Sequence, residues 1–380
     1  MRKQAIGGID MGVNMEKPGD AEIFQLAPVD INHLFRRSGL NGNGLSLYSY
    51  NAEQAATSSP SELFRPLAES ANFTSIANKI LAPDLKIEFN RGGAGSAEET
   101  YHAFLSLDDN DVLAHFQGSD GNILLMLFDN EESFLQWWSD IYASKAASNY
   151  QPVFPEVLPM EVLVCALHCI DIYRRSYLES MLDYRGGLDL AISTQDFVQL
   201  LRRSLASQDK RWLLPTMFEI TAGLKGINIA LKPEHIKKVE ELGFLTIDEN
   251  VLTLGERSRL MGTEIITSWL GSISCQASAL VNGQEKSLSR IFMTPTAFAN
   301  HLFSFEIGAE GEARFRHQAI TLPELVQTLM KWIEALQKAI GGTAPAHATP
   351  RPAPAMKFCG QCGAELKPGK KFCTSCGTSI

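Results

Sequence analysis

The sequence predicts an α+β protein built from two pseudo-repeated halves, each an antiparallel four-stranded meander with flanking helices. A helical section joins the halves, and a cysteine-rich tail follows on a flexible linker. Three observations carry this. Short apolar runs separated by Gly-, Asn- and Asp-rich turns occur four in a row, twice, and links that short favour antiparallel neighbours. Each set of four ends in a helix start, Asp129-Asn-Glu-Glu132 or Thr321-Leu-Pro-Glu324, followed by apolar residues at helical spacing. The last 24 residues hold two CxxC pairs.

Residues 1–20 carry little pattern and read as a loose N-terminus. Ile9-Asp-Met-Gly12 has the Asp and Gly of a phosphate loop, but no hydroxyl-rich turn and second strand follow it. The first half, 21–143, opens with a helix from Asp30 that places Ile31, Leu34 and Phe35 on one face and stops at Gly39. Leu45–Tyr50 reads as a short strand and the residues after it as a polar loop. Leu63 to Pro83 reads as helix, broken near Asn72. The strands of the first meander are expected at Leu85–Asn90, Thr100–Leu107, Val112–Phe116 and Ile123–Phe128. Asp129-Asn-Glu-Glu132 then starts a helix carrying Phe134, Leu135, Trp138, Ile141 and Tyr142.

Residues 144–229 form the helical connecting section. Pro159 stands where a helix start tolerates it, ahead of a helix from Met160 to about Tyr184. A second helix begins near Ser193-Thr-Gln-Asp196, and a third spans Trp212 to Leu224. Nothing here alternates like a sheet.

The second half, 230–340, repeats the order. Pro233–Leu242 is a helix ending at Gly243, and Phe244–Ile247 with Val251–Leu254 forms a hairpin around Asp248-Glu-Asn250. Leu260, Ile265, Ile266, Trp269 and Leu270 continue as helix. The second meander is expected at Ile273–Val281, Ser287–Met293, His301–Ile307 and Glu312–Gln318, with Asn282-Gly283 as its strongest hairpin signal and Gly308-Ala-Glu-Gly311 as another turn. Thr321-Leu-Pro-Glu324 reads as a capping box, the Thr hydroxyl and Glu carboxylate each satisfying an orphan N–H. Leu325, Leu329, Trp332, Leu336 and Ile340 follow at helical spacing, with Trp332 read as core.

The 380 residues carry a net charge of -9. The tail from Gly341 holds Arg351, Lys357, Lys367, Lys370 and Lys371 against Glu365, which leaves a charge of -13 on residues 1–340. A body that acidic repels phosphate backbones at long range. No apolar run reaches the roughly 20 residues needed to cross a bilayer, and no apolar stretch with a cleavage site marks a signal peptide. The expected location is the cytoplasm, without membrane insertion.

Residues 341–356 are a Pro/Ala-rich linker that cannot bury enough apolar surface to fold. After it, at 357–380, Cys359-x2-Cys362 and Cys373-x2-Cys376 can each wrap a turn so that two sulfurs converge, and four thiolates complete a tetrahedron around one Zn2+. Gly363 and Gly377 follow the two knuckles at matching places, and Phe358 and Phe372 precede them. Four cysteine ligands leave no open position for water, so the zinc is expected to be structural. These knuckles resemble the short zinc-ribbon module found at the ends of prokaryotic proteins.

Of the other cysteines, Cys165 and Cys169 share a helix face with His168 among apolar neighbours. They read as small buried thiols beside a satisfied histidine, not as a metal site. Cys275 also lies in an apolar run. The acidic pairs Asp108-Asp109 and Glu131-Glu132 fall at a turn and a helix start. No nucleophile elbow, Walker loop, GxGxxG or HExxH occurs, and the chain is expected not to be an enzyme.

Two resemblances bear on function. Val239 to Gly255, a helix followed by a Gly turn and a hairpin, resembles the end of a winged-helix domain, which implies a DNA-binding regulator with nucleic acid as partner. Glu234, Glu240 and Glu241 beside Lys237 and Lys238 make that helix a poorly charged reader of a phosphate-rich groove. Over Gln25–Ile340 the order of elements, including Ile80-Leu-Ala-Pro83 leading into the first meander, resembles the EspG family of ESX (type VII) secretion chaperones. That resemblance implies a protein-binding adaptor that holds a helical secretion substrate. The zinc ribbon is an addition to that family's pattern.

Overall fold

The computed structural model describes residues 21–92, 99–118, 120–145, 153–221, 223–224, 229–266, 271–307 and 313–341. The expectations for 1–20, the 308–311 turn, Trp269, Leu270, the linker and the ribbon lie outside these residues. The chain divides into two compact units, Met1–Gln337 and Lys338–Ile380. The first is a mixed α+β body with eleven helices among the described residues.

The body begins with a strand that the sequence does not announce, β1 (Glu22–Leu26), then α1 (Asp30–Ser38), α2 (Ala52–Thr57), α3 (Phe64–Glu69) and α4 (Phe73–Leu81). Leu45–Tyr50 is not a strand. Its backbone is taken up locally and by α4: Asn43 N–H donates to the Leu81 carbonyl and Ser46 Oγ to that of Ile80, while Asn43 Oδ1 and Ser46 Oγ accept from Leu45 and Tyr48 N–H. Asn and Ser side chains offer the backbone this alternative to a ladder. The loop after it is in part α2, capped by Asn51, whose side chain accepts from Gln54 N–H.

The first meander is β2 (Leu85–Gly92), β3 (Glu99–Leu105), β4 (Val112–Gln117) and β5 (Ile123–Phe128), followed by α5 (Glu131–Tyr142) with Asn130 as its cap. Next come β6 (Val157–Pro159), α6 (Met160–Leu182), β7 (Ala191–Ser193), α7 (Thr194–Leu205), α8 (Leu213–Ile220), α9 (Pro233–Glu241), β8 (Leu245–Asp248), β9 (Val251–Leu254) and α10 (Glu256–Glu264). The connecting section therefore does contain strands. β6 and β7 have three residues each, too few to show an alternation. The second meander is β10 (Ser272–Val281), β11 (Gln284–Pro295), β12 (Asn300–Ile307) and β13 (Ala313–Ile320), closed by α11 (Leu322–Gly341).

Both meanders belong to one ten-stranded antiparallel sheet in the order β1-β5-β4-β3-β2-β10-β11-β12-β13-β6. Their first strands, β2 and β10, pair over eight residues, from Ser272↔Gly92 to Ala279↔Leu85. Read from either end, the order is an added strand followed by the fourth, third, second and first strands of a meander. β7, β9 and β8 form a separate three-stranded sheet. At Asn282-Gly283 both residues have positive φ, 54° and 75°, the geometry of the two-residue turn that suits a twisted hairpin.

Strand alternation gives the large sheet two faces. On one, Phe89, Tyr101, Phe116 and Phe128 stack against Phe134, Trp137 and Trp138 of α5, and the Trp138 indole donates to the Tyr101 hydroxyl at 2.6 Å. Each such side chain contributes about 1.5–3 kcal/mol by burial. On the other, α1 and α4 cover Phe104, Leu113, Leu125 and Leu127 at one end. α6, α8 and α10 share a second core with Phe292, Phe303 and Phe315 at the other end. α10 lies so close to α6 that a Cβ at Gly262 would come within 2.3 Å of the Tyr173 ring. At the start of α11 the capping box is half formed. Glu324 accepts from Thr321 N–H at 2.8 Å, but the Thr321 hydroxyl donates to that same carboxylate and not into the helix.

Candidate functional site

The four expected zinc ligands, Cys359, Cys362, Cys373 and Cys376, lie outside the described residues. Their fit to the metal rests on donor chemistry: four thiolates in two CxxC pairs are a closed, soft set of the kind that holds tetrahedral zinc. Among the described residues no group of three His, Cys, Asp or Glu side chains could hold a metal ion.

Cys165, Cys169 and Cys275 are buried free thiols, as their apolar surroundings imply. Burial pushes the Cys165 thiol up to about 12, and raises Cys169 and Cys275 as well, so none is a ready nucleophile. His168 departs from its expected role. It is 2% exposed, and neither ring nitrogen makes a well-formed hydrogen bond, the Phe197 carbonyl being the one backbone group that acts on it. Burial pushes its pKa down to about 3, against a smaller upward pull from the Phe197 carbonyl. A buried imidazole is satisfied only by a specific neighbour, which apolar sequence context does not disclose.

Two polar chains run through the body. On the face of the sheet left between its two helical covers, Arg290, Gln276, Glu88, His102 and His115 stand on adjacent strands in one row. Arg290 Nε donates to Gln276 at 3.2 Å, His102 lies 3.6 Å from Glu88, and the Tyr48 hydroxyl meets His115 Nε2 at 2.6 Å. The His102 hydrogen bond is the main reason that Glu88 is held down to about 2, while burial pushes His115 down to about 3. Near neutrality the row thus holds a charged Glu88 carboxylate and a neutral His115 imidazole.

The second chain runs from Glu264 Oε1 to His301 Nε2 at 2.7 Å and from His301 Nδ1 to His317 Nε2 at 2.9 Å. All three groups are buried, and the chain ties the end of α10 to β12 and β13. The acidic pairs are likewise structural: Asp109 pairs with buried Lys79, and Glu131 accepts from Gln337 at 2.7 Å. Trp332 is half-buried on β11, its indole donating to Ser289 at 2.9 Å.

The surface feature that sequence reasoning passed over is the end of α6. Tyr177, Leu178, Met181 and Leu182 are exposed, Leu182 by 77%, and Tyr184 just beyond is 96% exposed with a φ of 54°. An aromatic residue in the left-handed region is strained and uncommon. The signal in the sequence was Leu178-x-x-Met181-Leu182 running on after the buried stretch, with nothing to say that its cover ends. Elsewhere, α9, β8 and β9 form the helix and hairpin expected at 233–254, and β7 adds a third strand beside β9.

Among the described residues no helix is long and apolar enough to cross a membrane. Residues 358–380 match the zinc-ribbon domain family. No curated protein matches the chain. Among solved structures the chain is similar to the type VII secretion system chaperone EspG5 of Mycobacterium tuberculosis, in complex with a PE25–PPE41 dimer. The identity is 8%, 86% of this chain and 99% of that chain are covered, and the TM-score is 0.36.

Proposed function

We propose that the protein is a non-enzymatic protein-binding adaptor whose working surface is the free end of α6. The observation that carries this is the exposed run Tyr177, Leu178, Met181 and Leu182 capped by the strained, solvent-facing Tyr184. Contiguous exposed apolar side chains with an aromatic anchor are the usual composition of a protein-contact patch. On this reading the partner is a helical segment laid along α6, and the protein is a cytoplasmic chaperone for a type VII secretion substrate. The two halves of the sheet, with their mirrored strand order, are a duplicated scaffold behind that surface.

The test is the double variant Met181→Glu/Leu182→Glu in the full chain. It should leave the circular dichroism spectrum unchanged, since both side chains face solvent. It should weaken capture of a co-expressed helical partner by about a hundredfold, the loss of roughly 3 kcal/mol expected of two anchors. A wild-type protein that purifies without any protein partner overturns the reading, as does a variant that retains one.

The tail contributes a structural zinc ribbon, with Cys359, Cys362, Cys373 and Cys376 holding one Zn2+ and the basic residues around them available to an acidic partner. In comparable peptides zinc supplies about 10–16 kcal/mol of folding free energy. Elemental analysis should therefore find one zinc per chain, and less than a tenth of that in Cys362→Ser. Full zinc content in that variant would remove these residues from the site.

A second reading is favoured by one feature. The order β7-β9-β8 beside α9 matches the small sheet of a winged helix, which implies a DNA-binding regulator. Against it stand the mixed charges of α9 and the separation of α7 from α9, with α8 intervening. A salt-sensitive, sequence-selective shift of duplex DNA would move the proposal to this reading.

A further inference from the structure

α6 also carries a largely polar stripe beside a cavity. His168, Ile172, Arg175, Ser176, Glu179 and Ser180, three or four residues apart or adjacent, line one side of a cavity of about 270 Å3. Asp171 of α6, Arg185, Leu200 and Ser204 of α7, the segment 187–192 leading into β7, and Trp212 complete the lining. The volume is just below the roughly 300–1,000 Å3 of sites for drug-sized ligands, so the occupant is a small molecule.

His168 is the deep residue. Buried and without a well-formed hydrogen bond on either ring nitrogen, it presents both an N–H donor and a lone pair. A buried polar group of this kind calls for a partner that the protein does not supply.

The charged residues set the chemistry. Arg185 pairs with Asp183, and Glu179 and Asp189 also act on it. The Arg175 guanidinium lies 5.4 Å from the centre of the Trp212 ring and makes no ion pair among the described residues. Arg174, which contacts the same ring, is already matched by Asp171. With Asp171 of the lining held by Arg174, Arg175 and Arg185 stand against Glu179 and Asp189 of the lining and Asp183 beside it. A dianion such as phosphate would be repelled, and a simple cation would leave Arg175 unmatched. A molecule carrying both charges answers both demands.

We propose that this cavity binds a small zwitterion of the amino-acid class, with its carboxylate on Arg175, its ammonium beside Glu179 and Asp189, and a polar side chain hydrogen-bonded to His168. The site is distinct from the docking surface at the α6 tip and does not depend on it.

The test uses the full-length protein labelled at histidine and follows the His168 imidazole resonances by NMR, assigned by their loss in His168→Gln. The probes are glutamine, asparagine and free histidine, with glutarate and a doubly blocked glutamine as controls that each lack one or both charges. At least one probe should shift the His168 signal with a saturable, millimolar-range curve, and neither control should. Arg175→Met should weaken the binding about tenfold and Glu179→Gln by a smaller factor, as expected for one charge-assisted contact each. Both substituted side chains are exposed, so the fold is retained and checked by circular dichroism. No saturable shift with any of the three probes up to about 20 mM, a range that would still reveal weak binding, overturns the proposal. A cavity filled only by water gives that result. Equal binding by Arg175→Met, or binding of glutarate alone, overturns it too.

Discussion

Taking the protein from pH 7 to pH 5 is expected to lower its folding stability by about 4 kcal/mol or more, a large share of the margin of a typical domain. His115, His168 and His317 are all buried. Burial pushes His115 and His168 down to about 3 and His317 well below its ordinary value, with His301 adding to the shift of His317. Each ring is therefore neutral in the fold and takes up a proton only on unfolding. The stability they support is fully present above the unfolded value near 6.5 and is lost progressively as pH falls from there toward 3. His115 and His168 each contribute about 2 kcal/mol of loss by pH 5, and His317 acts in the same direction. Urea midpoints at pH 7, 6 and 5 measure it directly. His168→Leu should remove about 2 kcal/mol of that loss without breaking a well-formed hydrogen bond. Midpoints that stay level between pH 7 and pH 5 would refute the assignment. Glu88 acts in a separate window: held down to about 2, its stabilising effect is present above about pH 4.5 and is lost only below that.

Asp171→Ala should cost about 3–5 kcal/mol, the range for removing one partner of a buried ion pair. The Asp171 carboxylate accepts from Arg174 at 2.7 Å and from the N–H groups of Leu213 and Leu214 at 2.9 and 2.8 Å. It thus serves as the N-terminal cap of α8 from a neighbouring helix, a service that Trp212 at the cap position does not provide. Burial raises the pKa of the carboxyl, and Arg174 is the largest influence opposing that shift. Without it, Arg174 is left 1% exposed with a charge that nothing matches and only carbonyls to meet, Arg211 among them. The double change Asp171→Leu/Arg174→Met should recover most of the loss, since an apolar pair of similar volume avoids the desolvation of two charges. Denaturant titration of the two variants decides it. A single variant within about 1 kcal/mol of wild type would mean that water reaches the pair.

The elements that were legible in the sequence are those whose local chemistry is self-sufficient. Asn282-Gly283 specifies its own turn, Asn130 and Ser193 cap their own helices, and the eight meander strands fall within two or three residues of their expected bounds. What stayed hidden depends on partners. Alternation tells which face a residue takes but not which strand lies alongside, so the pairing of β2 with β10 could not be read. β6 and β7 exist only because β13 and β9 offer edges to them. The same holds for the site. Cysteine spacing exposes a metal centre at once, whereas the unmet hydrogen bonds of His168 and the uncovered end of α6 are visible only when the neighbours are in place.

The β2–β10 seam also governs how the chain reaches its fold. Its paired residues, such as Ile87 and Ala277, are about 190 positions apart. During synthesis β2 emerges long before its mate and waits as an open edge on an otherwise finished meander. At about 5–20 residues per second that wait lasts roughly 10–40 seconds. Lys86 on β2, buried in the final sheet and paired there with Glu285, stands at that edge meanwhile, a charge that discourages the strand from joining a second copy before its own partner arrives.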